Sequence, residues 1–483
     1  MSKTHIIYKD IPPGADEDAA VSTNGSQPFS TLNLPFGVTH EPISTCELNA
    51  WGLNGDFDMV DGHTVAFWST SQSGADCVFT SQPIITILFD EQYSSTGITF
   101  VFDENDWCDL VNVQWWQQST LKADSDFTLD APTFFCKKKV QSYDKIVITL
   151  KQTRLPHHFA KLDRIYFGVY RYFRMSELRQ GKVSITNEID PISLELPVSK
   201  LEWRLDSRED ADYLFQFKQP VEVYNDDRLI CAYYIDESDR IANLYDISCF
   251  DAFGVLDESQ FAGGVYSNKS AIALLTEIVD GDFELDISVS DTNLSGAIFP
   301  GTRREAFKQV LFAWGACAAT DGATSIRVFT PDASGAKDIG EDWTFTGPRV
   351  GTASAVTAVK VTAHSYSQDS NGNVEIGGVK YKDTRTVYTV SNPNATASDR
   401  ANVKEISKAT LVSPSIGQAV AQRVFDYYNR RDTAKPKIVW RGEKLGQLVT
   451  VPNGWGGSVT GHLTKMDILL SNTVVANSEV KGL

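Results

Sequence analysis

Apolar and polar residues alternate in part with period two along much of the chain. The clearest runs are PIITILFD (83–90), GITFVFD (97–103), LVNVQWW (110–116) and DKIVITLKQT (144–153). They are rich in Val, Ile, Thr and aromatics and show no competing helical period. The stretch from about 36 to 170 therefore predicts an antiparallel β-sandwich. A second β series follows Met175: KVSITNEID, KLEWRLD, QPVEVYNDDRLICAYYIDE and ANLYDISCFDAFGVLD. Within it the cluster Asn225-Asp226-Asp227 is a turn signal between two strands, which predicts a hairpin.

The period then changes. NKSAIALLTEIVDG (268–281) and TRREAFKQVLFAWGACAA (302–319) place apolar residues at helical spacing. Thr302, with Glu305 three positions on, forms a capping-box pattern. Each helix precedes a short strand candidate, FELDISV and TSIRVFT, giving a small α/β unit. From 350 onward β texture returns, interrupted by one helix, SIGQAVAQRVFDYYNRR (415–431). Residues 1–35, with IPPGADEDAAVSTNGSQP, predict a flexible arm carrying at most a short docking strand at HIIY. The whole reads as a mainly β chain with a small α/β insertion, in five parts: 1–35, 36–172, 173–258, 259–345 and 346–483.

At 483 residues the chain has material for several domains. No apolar run approaches the roughly 18 residues of a membrane-crossing helix, and the opening MSKTHIIYKD lacks the apolar core of a secretory signal. Charge is informative once located. The total is 44 basic against 62 acidic residues, a net of −18, yet residues 1–130 alone hold 3 basic and 19 acidic. Such a field repels nucleic acid and argues against a sequence-reading DNA binder. The seven cysteines are scattered and never form C-x-x-C, so they read as small buried hydrophobes rather than disulfides or a zinc site.

Catalytic motifs are not found: there is no G-x-S-x-G, H-E-x-x-H or phosphate-binding Gly-Lys-Ser sequence. No catalytic residue, metal ligand or cofactor is assigned. His157-His158 is the only paired histidine and reads as surface or packing. Asp56, Asp58 and Asp61 in NGDFDMVDG lack calcium-loop spacing and read as a solvated turn. Adjacent Trp115 and Trp116 must point to opposite faces of a strand, so one is core; Trp68 is core as well. Trp51 and Trp107, nearer to turns, are the candidate glycan contacts. Trp314 is read as helix packing, and the glycine-rich VPNGWGGSVTGH as a turn-rich loop.

Residues 194–330 resemble the hub and tail-tip proteins of tailed bacteriophages and contractile injection systems. The resemblance lies in the order of pieces: KLEWRLDS, the pair QPVEVYNDDRLICAYYIDE, then YDISCFDAFGVLDESQFAGGVYSNKSAIALLTEI and FPGTRREAFKQVLFAWGACAATDGATSIRVF. The carboxy-terminal series, ending in LGQLVTVP and GHLTKMDILL, looks like the second barrel of such hubs. Residues 36–172 look like a galactose-binding, discoidin-like jelly roll. The resemblance implies a two-barrel hub, with barrels at 173–258 and 346–483, that forms a homotrimer on the tail axis. The implied partners are the tail tube, distal tail proteins and the tape measure protein, with a host-surface glycan at the sandwich. The implied location is the virion tail tip, assembled in the host cytoplasm. With the sequence ending at Leu483, any lytic or spike function is expected on another chain.

Overall fold

The computed structural model describes residues 4–27, 43–44, 47, 59–60, 66–103, 107–178, 183–207, 213–225, 228–331, 334–345, 347–396, 400–470 and 474–482. Of 43–44 and 59–60 only the backbone pairing is described. The chain forms two units. The smaller comprises Ile7–Tyr172 and Glu209–Pro220; the larger comprises Met1–Ile6, Phe173–Arg208 and Val221–Leu483.

In the smaller unit a seven-stranded sheet runs in the order Phe67–Trp68, Lys161–Tyr166, Ile84–Phe102, Thr133–Thr153, Cys108–Gln117, Thr120–Thr128. Ala20–Asn24 joins the Ile84 end of the third strand. The runs read as separate strands at 83–90 and 97–103 are one bent strand. The polar residues between them do not reverse the chain; the register to its partner slips between Leu88 and Gly97 instead. Gly97 sits at the bend with φ 156°, and a Cβ there would meet the Cys136 carbonyl oxygen at 2.2 Å. Period two then puts Ile85, Ile87, Val113, Trp115, Ile146 and Ile148 in one core. The outermost strand, Thr120–Thr128, carries exposed Lys122, Asp124 and Asp126. Asn112 Nδ2 donates to Asp124 and Asp126 at 2.8 Å each.

Residues 4–27 differ from the expected arm. They form a strand (His5–Asp10), a short helix α1 (Ala15–Asp18) and the strand Ala20–Asn24. The reason is a buried polar network that a reading of local composition does not reveal. Asp10, 1% exposed, accepts from Tyr8 Oη at 3.1 Å, Thr96 Oγ1 at 2.8 Å and Arg171 Nε at 3.4 Å. Tyr8 Oη in turn accepts from the Phe215 backbone N–H at 3.0 Å. Burial and the Asp10 charge hold the Tyr8 hydroxyl well above its ordinary pKa.

In the larger unit one sheet joins strands from both spans expected as barrels, 173–258 and 346–483. Its order is Pro220–Asn225, Arg228–Ile241, Leu244–Phe250, Lys200–Asp206, Ser184–Glu188, Ser458–Leu469, Val475–Gly482, Asp432–Lys435, Arg349–Thr352. The join is antiparallel, with Ser184 opposite Leu469 and Glu188 opposite Lys465. A second sheet runs Val374–Ile376, Val379–Ser391, Ala358–Gln368, Val403–Ile406.

Among the described residues four α-helices belong to this unit: α2 (Ala252–Asp257), α3 (Ala271–Val279), α4 (Arg303–Trp314) and α5 (Gly417–Asn429). The last three fall inside the predicted spans. Thr302 caps α4 by accepting from the Glu305 N–H at 3.2 Å, and Gly315 ends it at φ 88°. α2 corrects the β reading of DAFGVLD. Asp251 stops the strand and accepts from the N–H groups of Phe253 and Gly254, as an N-cap does. Leu274, Phe307, Leu311, Val361 and Val424 share one hydrophobic core, so the α/β segment and the second sheet are packed together. Among the described residues no helix is long and apolar enough to cross a membrane.

Asp251 is fully buried, and burial pushes its carboxyl up to about 6, although hydrogen bonds from Ser199, Gly254 and Thr320 oppose the shift. A carboxyl raised on folding stabilises the native state below its unfolded pKa and loses that contribution as pH rises through the folded value. Relative to Asp251→Asn, which keeps a good cap, the wild-type chain is expected to lose about 2 kcal/mol between pH 4 and pH 7. Urea unfolding of both proteins at several pH values checks this; parallel curves would refute it.

Candidate functional site

Trp107 is half-buried against the core of the smaller unit, with the Arg154 guanidinium 4.0 Å from its ring centroid. Its ring is therefore engaged within its own unit. Trp51, Asp56, Asp58 and Asp61 lie outside the described residues. Trp115 is fully buried while Trp116 is half-exposed under Lys145, the split that the strand pleat requires. His157 is exposed at φ 59°; His158 is buried, its Nδ1 3.7 Å from Glu47 Oε1. Glu47 also pairs with Lys161, and both side chains are buried. Trp314 packs against the larger core and donates from Nε1 to the Ser290 carbonyl at 3.0 Å. Among the described residues no group of three His, Cys, Asp or Glu side chains is arranged to hold a metal ion.

The larger unit brings together residues that no local pattern marks. A cavity of about 430 Å³ lies between α4, the turn Ile298–Gly301 and the second sheet. Period two on Ala358–Gln368 and Val379–Ser391 puts His364, Tyr366, Asp383 and Arg385 on one face, because His364 pairs with Arg385 and Tyr366 with Asp383. His364 Nδ1 lies 3.1 Å from both Asp383 carboxylate oxygens, and Nε2 lies 3.2 Å from the Ser407 carbonyl oxygen. Arg385 Nε donates to the same carboxylate at 2.7 Å. Asp383 and His364 are both buried.

This geometry limits the chemistry. Both imidazole nitrogens face acceptors within the fold, so the ring is not open to a substrate proton. The Tyr366 hydroxyl is the buried polar atom of the group without a hydrogen-bond partner. Burial and the Asp383 charge raise its pKa above the ordinary phenol value. Phe299 completes an aromatic wall, 6.5 Å from Tyr366 between ring centroids. The cavity combines apolar surface with one unused hydroxyl and a clamped carboxylate, which suits binding.

The glycine-rich loop forms a hairpin tip between Leu448–Pro452 and Ser458–Leu469. Asn453 Oδ1 accepts from the N–H groups of Trp455 (3.1 Å) and Gly457 (2.9 Å), while Gly454 and Gly456 take positive φ. Trp455 stands at this tip 72% exposed. The sequence marks the turn through its glycines, whereas the exposure of the indole depends on where the hairpin ends.

No family model matches the sequence, and no curated protein matches it. Solved structures similar in fold include a tail protein from Neisseria meningitidis MC58, at 12% identity and TM-score 0.47, covering 64% of this chain and 93% of that one. The 43 kDa tail protein of prophage MuSo2 from Shewanella oneidensis is similar at 12% identity and TM-score 0.44, covering 64% and 95%. A prophage tail protein from Listeria monocytogenes EGD-e is similar at 12% identity and TM-score 0.42, covering 64% and 91%.

Two substitutions separate the clamp from the open hydroxyl. Asp383→Ala leaves His364 and Arg385 without their shared acceptor and is expected to cost about 3 kcal/mol or more. Tyr366→Phe removes a buried hydroxyl that bonds to nothing and should change stability by less than about 1 kcal/mol, or raise it. Denaturant unfolding of the two variants checks the contrast.

Proposed function

We propose that the chain is a structural component of a phage tail tip or baseplate: a hub that closes the tail tube and organises the tip as a homotrimer. One observation carries this reading. The pieces whose order resembles tail hubs all fall in the larger unit: Lys200–Asp206, the strand pair Pro220–Asn225 and Arg228–Ile241, and α2 to α4. There α2, α3 and α4 pack in a common core. No catalytic step is assigned to the chain.

Charge supports the arrangement. Residues 131–483 hold 41 basic and 43 acidic residues, so copies of this part can gather around an axis without strong self-repulsion. Residues 1–130 carry the acidic excess and are better placed outward, because copies near the axis would repel at low salt. Cyclic contacts of this kind set one patch against a different patch of the next copy. The partners are the tail tube, distal tail proteins and the tape measure protein, and the site of action is the virion tail tip. The outward sandwich faces a host-surface glycan, with Trp51 as its candidate contact. Trp107, held by Arg154 and the core, is assigned to packing.

Mass measurement on the chain and imaging of the assembled particle test the hub reading together. Three copies around the tail axis are expected; a single copy or an even-fold ring ends it. A glycan array on the full chain tests the sandwich. Binding should vanish in Trp51→Ala and persist in a folded Trp107→Ala, and no binding by the wild type removes the receptor role.

A further inference from the structure

A second cavity in the larger unit, of about 580 Å³, is bordered by Gly315 at the end of α4, by Arg423, Asp426 and Tyr427 of α5, and by Arg430 and His462. Its charges are unevenly matched. Arg423 Nη2 donates to the Phe312 carbonyl, one of the oxygens that the last turn of α4 leaves without a helical partner. This accounts for one arm of the guanidinium. Arg423 Nε is buried and has no hydrogen-bond partner. Arg430 Nη1 lies 3.4 Å from His462 Nδ1. Among the described residues no carboxylate lies within ion-pair distance of Arg423 or Arg430.

The neighbouring acids are committed elsewhere. Asp426 is exposed and accepts from Gln422 Nε2 at 2.8 Å. Asp190 accepts from the N–H groups of Ile192 (3.2 Å) and Glu195 (3.0 Å). Glu479 pairs with Lys435 at 2.6 Å. Lys481, 5.3 Å from the Tyr427 ring centroid, adds a further cation. Burial alone lowers the Arg423 pKa to about 10, the direction expected of a guanidinium taken from water without an anionic partner. Burial also lowers that of Lys481, where the Glu479 charge opposes the shift and the Arg430 charge adds to it.

We infer that this cavity is an oxyanion site, in which a phosphate or carboxylate is held by the guanidinium groups of Arg423 and Arg430, which border it. An oxyanion supplies the acceptors these donors lack, and charge-assisted bonds at a half-buried guanidinium are the strong ones. Two sources share this chemistry: a free anion, and an acidic side chain of a second copy, whose residues 1–130 hold 19 acidic against 3 basic residues. The site does not depend on the tail assignment.

The test uses the full chain, at constant ionic strength maintained with chloride. Titration calorimetry with inorganic phosphate is expected to show saturable binding that weakens at least tenfold in Arg430→Gln. Arg430→Lys should keep part of it. Arg431→Gln, at an exposed arginine that donates to the Ala353 carbonyl at 2.7 Å, should leave it unchanged. If phosphate does not bind, salt-sensitive self-association in sedimentation, weakened tenfold by Arg430→Gln and not by Arg431→Gln, assigns the site to a carboxylate of another copy. Neither effect, or equal loss in Arg430→Gln and Arg431→Gln, overturns the proposal. Thermal melts of each variant confirm that a lost signal does not reflect lost folding.

Discussion

The pairing of Ser184–Glu188 with Lys465–Leu469 holds the larger unit together. It places Asn187 opposite Met466, so a strand near the start of the unit is completed only by one near its end. The contact is well supported: Ile185, Met466 and Ile468 are buried, and Lys465 donates to Glu188 at 2.9 Å. Everything between is thereby closed into one long loop, including α2 to α5 and the second sheet. Closing such a loop costs entropy that grows only slowly with its length. The price falls on the folding rate, since pairing at this separation in sequence must wait for both strands.

The sequence was legible where structure is local. α3, α4 and α5 lie within their predicted spans because helical period and caps act within a few residues, as Thr302 and Gly315 do for α4. The hairpin pair around 220–241 follows from composition in the same way, although its turn residues 226–227 lie outside the described set. α2 escaped because its short apolar run follows directly on a strand, and a single buried Asp251 makes the switch. The order of residues 4–27 was invisible because Asp10 finds its partners at Thr96 and Arg171. The cavity residues were invisible for the same reason: His364 and Asp383 meet only through a cross-strand register.

Buried charge is treated differently from place to place. Glu47 and Lys161 answer each other, and Asp251 is answered by backbone N–H groups and by Thr320. Asp383 is answered by both an imidazole and a guanidinium. In each case the donors and acceptors come from the same unit, so the charge fixes the local fold. The Arg423–Arg430 cavity departs from that rule, with its positive charge met chiefly by a carbonyl and a histidine.

The strand Thr120–Thr128 has a meaning beyond its own sheet. An outermost strand offers a row of backbone donors and acceptors to any other chain that arrives, and a long flat edge seeds fibrous aggregates. Here the exposed positions carry Lys122, Asp124 and Asp126, the last tied to Lys151 at 2.7 Å. A second copy approaching edge to edge in the parallel, in-register sense would set Lys122, Asp124 and Asp126 beside their own likenesses and would have to strip water from them. These side chains thus act as a guard against runaway stacking, which matters most while many newly made chains share one crowded compartment.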